Sequence, residues 1–442
     1  MELTPRSELD SRVVRLQAKL AAAEDAEAVF IFQAADMFYF AGTVQDAWLV
    51  IPREGAPLML VRRSLERAQA ESALEHILPL GTPREIPKLL AAHGLGGLTR
   101  VGLEFDVLPV QQYARVGRLF PTMRFVDASQ LIREVRMRKS PYEVERIRRA
   151  ALIQDRMAAR VREVLKPGMT ELELAAEIEA EARRHGHQGF IRARRFNLEC
   201  FYGHLLSGEN GAVPSWMDSP TGGTGLSPAF GTGLSARRIR ANEPVMLDYA
   251  GAVDGYHSDQ ARVFSLGPLP EDMVNGHAAC IAILEEVVGS LRPGAKAGEI
   301  FARARAAADR LGYADRFMNT GPAQVAFVGH GVGVELDEIP YLAANSDMAI
   351  EADMVLAVEP KIVFPGRGIV GVEDTGRVTT GDPEYLTVTP RELAILYLPS
   401  AISHWPSDGP YRRSNRPEKG RALPGRGAPR AEGEGRRYVT GP

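Results

Sequence analysis

Cysteine is almost missing from this chain. Cys200 and Cys280 are the only two in 442 residues, and no CxxC pair occurs. That argues against a disulfide framework or a thiolate metal site and leads us to expect two reduced thiols in a cytoplasmic protein. Long apolar runs are missing too: no stretch approaches the roughly 18–20 residues of a membrane helix. The opening MELTPRSELDSR is charged with no apolar segment behind it, so no secretory signal is expected. Charge of one sign is not in excess. Lys and Arg total 53 against 56 Asp and Glu, a formal net charge of −3, which gives no reason to expect nucleic acid or an anionic membrane as partner. No GxxxxGK[ST] stretch exists, so the glycine-rich DSPTGGTGLSPAFGTG reads as a loop near a site rather than a phosphate cradle.

What remains is an ordinary globular composition, 45% hydrophobic and 25% charged, in a chain long enough for two or three domains. Residues 10 to about 130 alternate helix and strand. DSRVVRLQAKLAAA sets Val13, Leu16 and Leu20 on one helical face, and AVFIF, AWLVIP and PLMLV are short apolar runs that suit strands. An α/β domain over 1–138 follows, with a structural or substrate-covering role. Two helices with capping boxes come next: Ser140, Pro141 and Glu143 open one, Thr170 and Glu173 the other. From about 196 the chain turns to strand and loop, then a second helix pair, then strands again. The halves of 139–401 thus echo each other without a provable repeat. The segment 402–442 is rich in Gly, Pro and Arg and poor in aliphatics, so it reads as a disordered tail.

Chemistry concentrates in the second half. Asp248 and Asp259 lie in LDYAGAVDGYHSDQARVF, whose Asp254-Gly255 turn signal predicts a hairpin that brings both carboxylates to one side. His330 lies in GHGVG, between glycines that allow close backbone approach. Glu359 ends the apolar run MVLAV and Glu373 follows GIVGV. A carboxylate buried there is costly unless paired or metal-bound. Four carboxylates and one imidazole exceed what one ion needs and suit two divalent ions. Hard oxygen with one nitrogen favours Mn²⁺, with Co²⁺, Fe²⁺ or Zn²⁺ as alternatives. Such a pair generates a hydroxide nucleophile and polarises a carbonyl.

These motifs resemble the creatinase/prolidase/methionine-aminopeptidase superfamily over about residues 10–400, and most closely Xaa-Pro aminopeptidases and dipeptidases. The resemblance implies an α/β N-terminal domain, an α+β pita-bread catalytic domain and usually a homodimer. It also implies hydrolysis of the bond before proline in a small peptide through a metal-bridging hydroxide, with Glu359 or Glu373 as proton shuttle. In the implied layout Asp248 binds one ion, His330 and Glu359 the other, and Asp259 and Glu373 bridge. Arg262 matches the arginine of the family's TRTF stretch and is expected to brace a ligand carboxylate.

Two family histidines have no counterpart: Ser215 follows Asn210 to Pro214 where a histidine would stand, and Asp337 precedes Glu338-Ile339-Pro340. Ser215 offers a weaker donor. An ionised Asp337 can only accept, which suits a cationic amino terminus or a general base. This supports an alternative, a lyase or amidohydrolase acting on a small zwitterion. His204, in FYGHLLSGEN, is a candidate replacement. His257 is expected beside the ligands without being one, and His185 and His187 are expected to face solvent. Tyr256 and Phe264 read as core, and Trp216 with the loop through Phe230 as a pocket wall.

Overall fold

A four-stranded and a five-stranded sheet, each backed by a helix pair, carry the site together with a two-stranded ribbon, and a six-stranded sheet before them forms the N-terminal lobe. The computed structural model describes residues 2–397. The tail expected from residue 402 lies outside the described residues. Among the described residues no helix is long and apolar enough to cross a membrane.

The N-terminal strands are β1 (Ala28–Ile31), β2 (Ala47–Pro52), β3 (Leu58–Val61), β4 (His76–Pro79), β5 (Arg100–Leu103) and β6 (Arg124–Asp127), in the order β4-β3-β2-β1-β5-β6. Alternate residues of β1 face opposite ways, as strand geometry demands. Val29 and Ile31 pack with Leu9, Val13, Leu16 and Leu20 of helix α1 (Arg6–Ala23). Ala28 and Phe30 pack with Trp48, Leu90 and Val116 on the other face. Burial on both faces explains why these strands read as unbroken apolar runs. Helices α2 (Ala34–Ala41), α3 (Leu65–Glu71), α4 (Ile86–Ala92), α5 (Val110–Leu119) and α6 (Ser129–Met137) complete the lobe.

Both capping boxes form. The Ser140 hydroxyl accepts from the Glu143 amide at the head of α7 (Pro141–Val164), and Thr170 does the same for Glu173 in α8 (Glu171–Arg184). Each cap stabilises its helix by about 1 kcal/mol. Against this pair lie β7 (Gly203–Ser207), β8 (Val245–Val253) and β9 (Tyr256–Leu266). The β8–β9 turn is Asp254-Gly255, with φ of 51° and 83°, the left-handed pair a two-residue hairpin needs.

The second pair, α9 (Glu271–Ser290) and α10 (Ala297–Arg310), backs β10 (Phe327–Gly331), β11 (Glu338–Ala343), β12 (Val355–Val358), β13 (Lys361–Phe364), β14 (Gly368–Gly371) and β15 (Asp374–Arg377). β10, β11, β12 and β15 form one sheet that β16 (Glu384–Tyr385) extends, β13 and β14 pair as a separate ribbon, and β17 (Ala394–Leu396) returns to pair with β9. The run MVLAVEPKIVF is two strands, not one: β12 ends at Val358 and β13 starts at Lys361. Likewise β14 and β15 part at Val372-Glu373. Both breaks fall on the predicted glutamates.

Candidate metal centre

The hairpin register places Ala261 opposite Asp248 and Ala250 opposite Asp259, so both aspartates point from one face. His204 on β7 lies directly opposite Asp248. His330 comes from β10. The Glu359 amide donates to Val328 O (3.0 Å) and the Glu373 amide to Ala261 O (3.2 Å), which seats each glutamate between the sheets. All five predicted ligands therefore meet on the wall of one cavity of about 700 Å³, which also holds His204 and Asp337. That volume suits a small ligand of a few residues.

The donors divide into two sets. Asp259, His330 and Glu373 each present one donor atom, all within 4.8 Å of one another, and all three residues are buried. His330 Nε2 lies 3.9 Å from both Asp259 Oδ2 and Glu359 Oε1. Glu373 Oε1 is buried with no hydrogen-bond partner, an arrangement that is costly for a carboxylate left to itself. Hard oxygens with one imidazole nitrogen fit a first-row divalent cation here. The second set is already engaged. Lys361 Nζ donates to Glu359 Oε2 (2.6 Å) and Glu373 Oε2 (3.0 Å) and lies 3.1 Å from Asp248 Oδ2. The residues thus fit one cation plainly, while the oxygens a second would use are held by an ammonium.

Electrostatics follow from this crowding. Burial, then Asp248, pushes the Asp259 carboxyl well above its usual range; burial, then Asp259, does the same to Glu373. Burial opposes a charge on Lys361, but Asp248, Glu359 and Glu373 outweigh it and hold the ammonium protonated. Burial likewise opposes a charge on His330, and Asp337, Glu359 and Glu373 outweigh it. A divalent ion competes with that proton for the ring nitrogen.

Asp337 occupies an unexpected position. Its Oδ1 is 3.4 Å from His330 Nδ1, which also faces Gly331 O at 3.0 Å. A proton kept on Nδ1 by these acceptors leaves Nε2 free to face the carboxylates. The turn carrying Asp337 is fixed from the N-terminal lobe: Arg136 of α6 donates to Glu335, Glu338 and Asp36, each at 2.6 Å, and Lys139 donates to Glu338 at 3.0 Å.

His204 Nδ1 pairs with Thr221 Oγ1 (2.7 Å) and Nε2 with Thr232 Oγ1 (3.3 Å), and burial keeps the ring below its usual pKa, hence neutral. Ser215 does not replace a histidine; its hydroxyl accepts from the Met217 amide. Of the expected wall, Met217 to Ser219 and Phe230 line the cavity, whereas Trp216 is exposed. Arg262 braces the ligand strand rather than a ligand carboxylate, donating to Glu373 O (2.7 Å) and Asp374 Oδ1 (2.6 Å). Tyr256 and Phe264 are core.

His257 is buried between the Arg192 amide and Gly333 O and touches no ligand. His185 is exposed as expected, but His187 is not. It is buried against Tyr202, its Nδ1 accepting from the Gly189 amide while Nε2 faces Ala250 O. The chain doubles back after α8, so a histidine just past a helix end is covered. Lys361 and Arg136 were missed. A charge two residues beyond Glu359, inside an otherwise apolar run, was a readable signal for the lysine.

Comparison with known proteins follows this geometry. The family model for metallopeptidase family M24 matches residues 145–380, and that for the creatinase/prolidase N-terminal domain matches 12–138. The probable dipeptidase PepE of Mycobacterium bovis is 28% identical over 401 residues, 88% of this chain and 98% of the relative. The Xaa-Pro dipeptidase of Pyrococcus furiosus is 25% identical over 367 residues, 83% of this chain and 94% of that one. A solved Xaa-Pro dipeptidase from Bacillus anthracis superposes with a TM-score of 0.75 at 23% identity, over 88% of this chain and all of that one, a likeness of fold.

Proposed function

The chain belongs to metallopeptidase family M24, with a creatinase-type N-terminal domain and a pita-bread catalytic domain, and from that premise we propose that it hydrolyses the peptide bond before proline in short peptides. The observation that carries this reading is the unpartnered buried oxygen of Glu373 beside Asp259 and His330 on a peptide-sized cavity. The names of the curated relatives support a dipeptide substrate.

Asp259, His330 and Glu373 would hold a divalent cation, Mn²⁺ first among candidates, with Glu359 Oε1 beside them. Such an ion supplies Lewis acidity toward the scissile carbonyl and lowers the pKa of water. The chain's own groups do the rest. Asp337 holds the His330 ring in one tautomer. Glu359, with Oε2 tied to Lys361, keeps Oε1 free to take and return a proton. His204, neutral and pinned by two threonines, offers a fixed polar edge on the opposite wall. Asp337 is 40% exposed on the cavity wall, and its use as the general base of a lyase or amidohydrolase is the second reading.

The division at residue 138, where the match to the N-terminal family model ends, a homodimer and a cytoplasmic setting complete this proposal. The test is hydrolysis of an Xaa-Pro dipeptide and an Xaa-Pro-Xaa tripeptide by Mn²⁺-loaded protein, with an EDTA-treated control. We expect metal-dependent cleavage, faster on the dipeptide. Turnover that survives EDTA treatment, or no cleavage of either peptide by protein with metal bound, would overturn it.

A further inference from the structure

We propose that the Lys361 ammonium permanently takes the place of one of the two metal ions, so that the centre works with one metal and one built-in cation. This inference rests on the metal-dependent reading above and deepens it.

The geometry supports the substitution in three ways. First, Nζ reaches three carboxylates, Glu359, Glu373 and Asp248, at 2.6, 3.0 and 3.1 Å. Of the three ammonium donors two make hydrogen bonds to the glutamates, and Asp248 adds an ion pair. Second, the fold makes room for the lysine stem. Lys361 faces Gly371 across the β13–β14 hairpin. A Cβ at Gly371 would stand 2.6 Å from Lys361 Cγ and 2.8 Å from Pro360 O, well inside contact distance. Third, the two glutamates are split between two cations. Oε2 of each faces Lys361, while Glu359 Oε1 faces His330 Nε2 and Glu373 Oε1 is without a partner.

Charge counting points the same way. With the carboxylates ionised, as metal binding requires, Asp248, Asp259, Glu359 and Glu373 carry four negative charges and Lys361 one positive, a sum of −3. One divalent ion brings this to −1. A second would bring it to +1 and place two metals beside a buried ammonium, all competing for the same oxygens. Asp248 therefore serves the lysine rather than a metal.

The test is metal content and spin coupling of the full-length protein, dialysed against Mn²⁺ and then against metal-free buffer. The wild type is expected to retain one Mn²⁺ per chain, with the paramagnetic resonance spectrum of an isolated ion. Lys361→Gly, which removes the ammonium, is expected to retain two and to show an exchange-coupled spectrum. Two coupled ions in the wild type would overturn the proposal and leave the peptidase reading standing. A Lys361→Gly variant that still holds one ion would also overturn it. No retained metal in the wild type would overturn both. Should Lys361→Gly fail to fold, the wild-type stoichiometry alone decides.

Discussion

Two buried carboxylate clusters lie on either side of the turn that carries Asp337, and they are built to opposite ends. In one, Asp36, Glu335 and Glu338 each accept a 2.6 Å hydrogen bond from Arg136, with Lys139 and Arg194 taking further oxygens. In the other, Asp248, Glu359 and Glu373 share a single lysine, and Asp259 faces His330. In the first every carboxylate oxygen has a partner, with only Arg136 Nε left over, and the cluster joins the N-terminal lobe to the catalytic part. The second is short of positive charge and keeps a carboxylate oxygen unpaired. Burial alone does not mark a functional site; burial with unmet charge does.

That contrast can be broken most sharply at Arg136. Arg136→Met should cost about 3–5 kcal/mol of stability in urea unfolding, since it strands three buried carboxylates. A loss below about 1 kcal/mol would mean that the first cluster is not the rigid one.

Acid titration separates the clusters by sign. Glu338 is held down to about 2, because Arg136 and Lys139 outweigh the burial that would raise it. Its contribution, on the order of 3 kcal/mol, is present above its unfolded value near 4.5 and is lost as pH falls toward 2. Glu338→Gln should flatten that limb of the stability profile. Asp259 and Glu373 are raised instead. In EDTA their ionisation weakens the fold above their unfolded pKa values, and the penalty is relieved as pH falls.

Smaller effects follow from the metal. Mn²⁺ at a hundred times its dissociation constant should stabilise the wild type by about 2.7 kcal/mol, read as a rise in Tm; Glu373→Gln should lose most of that gain. In metal-free protein, Asp259→Asn should raise stability by ~1 kcal/mol, because it removes a buried like charge. A fall of similar size would show that Asp259 is already satisfied without a cation.

Much of this architecture was legible from local signals. Ser140 with Glu143, Thr170 with Glu173, and Asp254-Gly255 each act within a few residues, so their spacing suffices. The five candidate residues stood out locally: Asp248, Glu359 and Glu373 follow apolar runs, Asp259 shares a hairpin with Asp248, and His330 lies between glycines. Less visible was anything that depends on a distant partner. Arg136 meets Glu335 and Glu338 across 199 and 202 residues, and no periodicity reports such a contact. The place of Asp337 beside His330 depends on how β10 and β11 pair, which no local pattern reports. Lys361 is a charge inside an apolar run, a local sign of a buried partner, but which carboxylates it meets depends on β8, far along the chain, and on the residues that follow β14.

The reach of Arg136 has a consequence for modularity. A chain cut before residue 139 would keep every candidate metal ligand and still lose the guanidinium that fixes Glu335 and Glu338 on either side of Asp337. The N-terminal lobe is thus less a passenger than a keystone, and grafting the catalytic half alone onto another protein would transplant the donors without the frame that aims them.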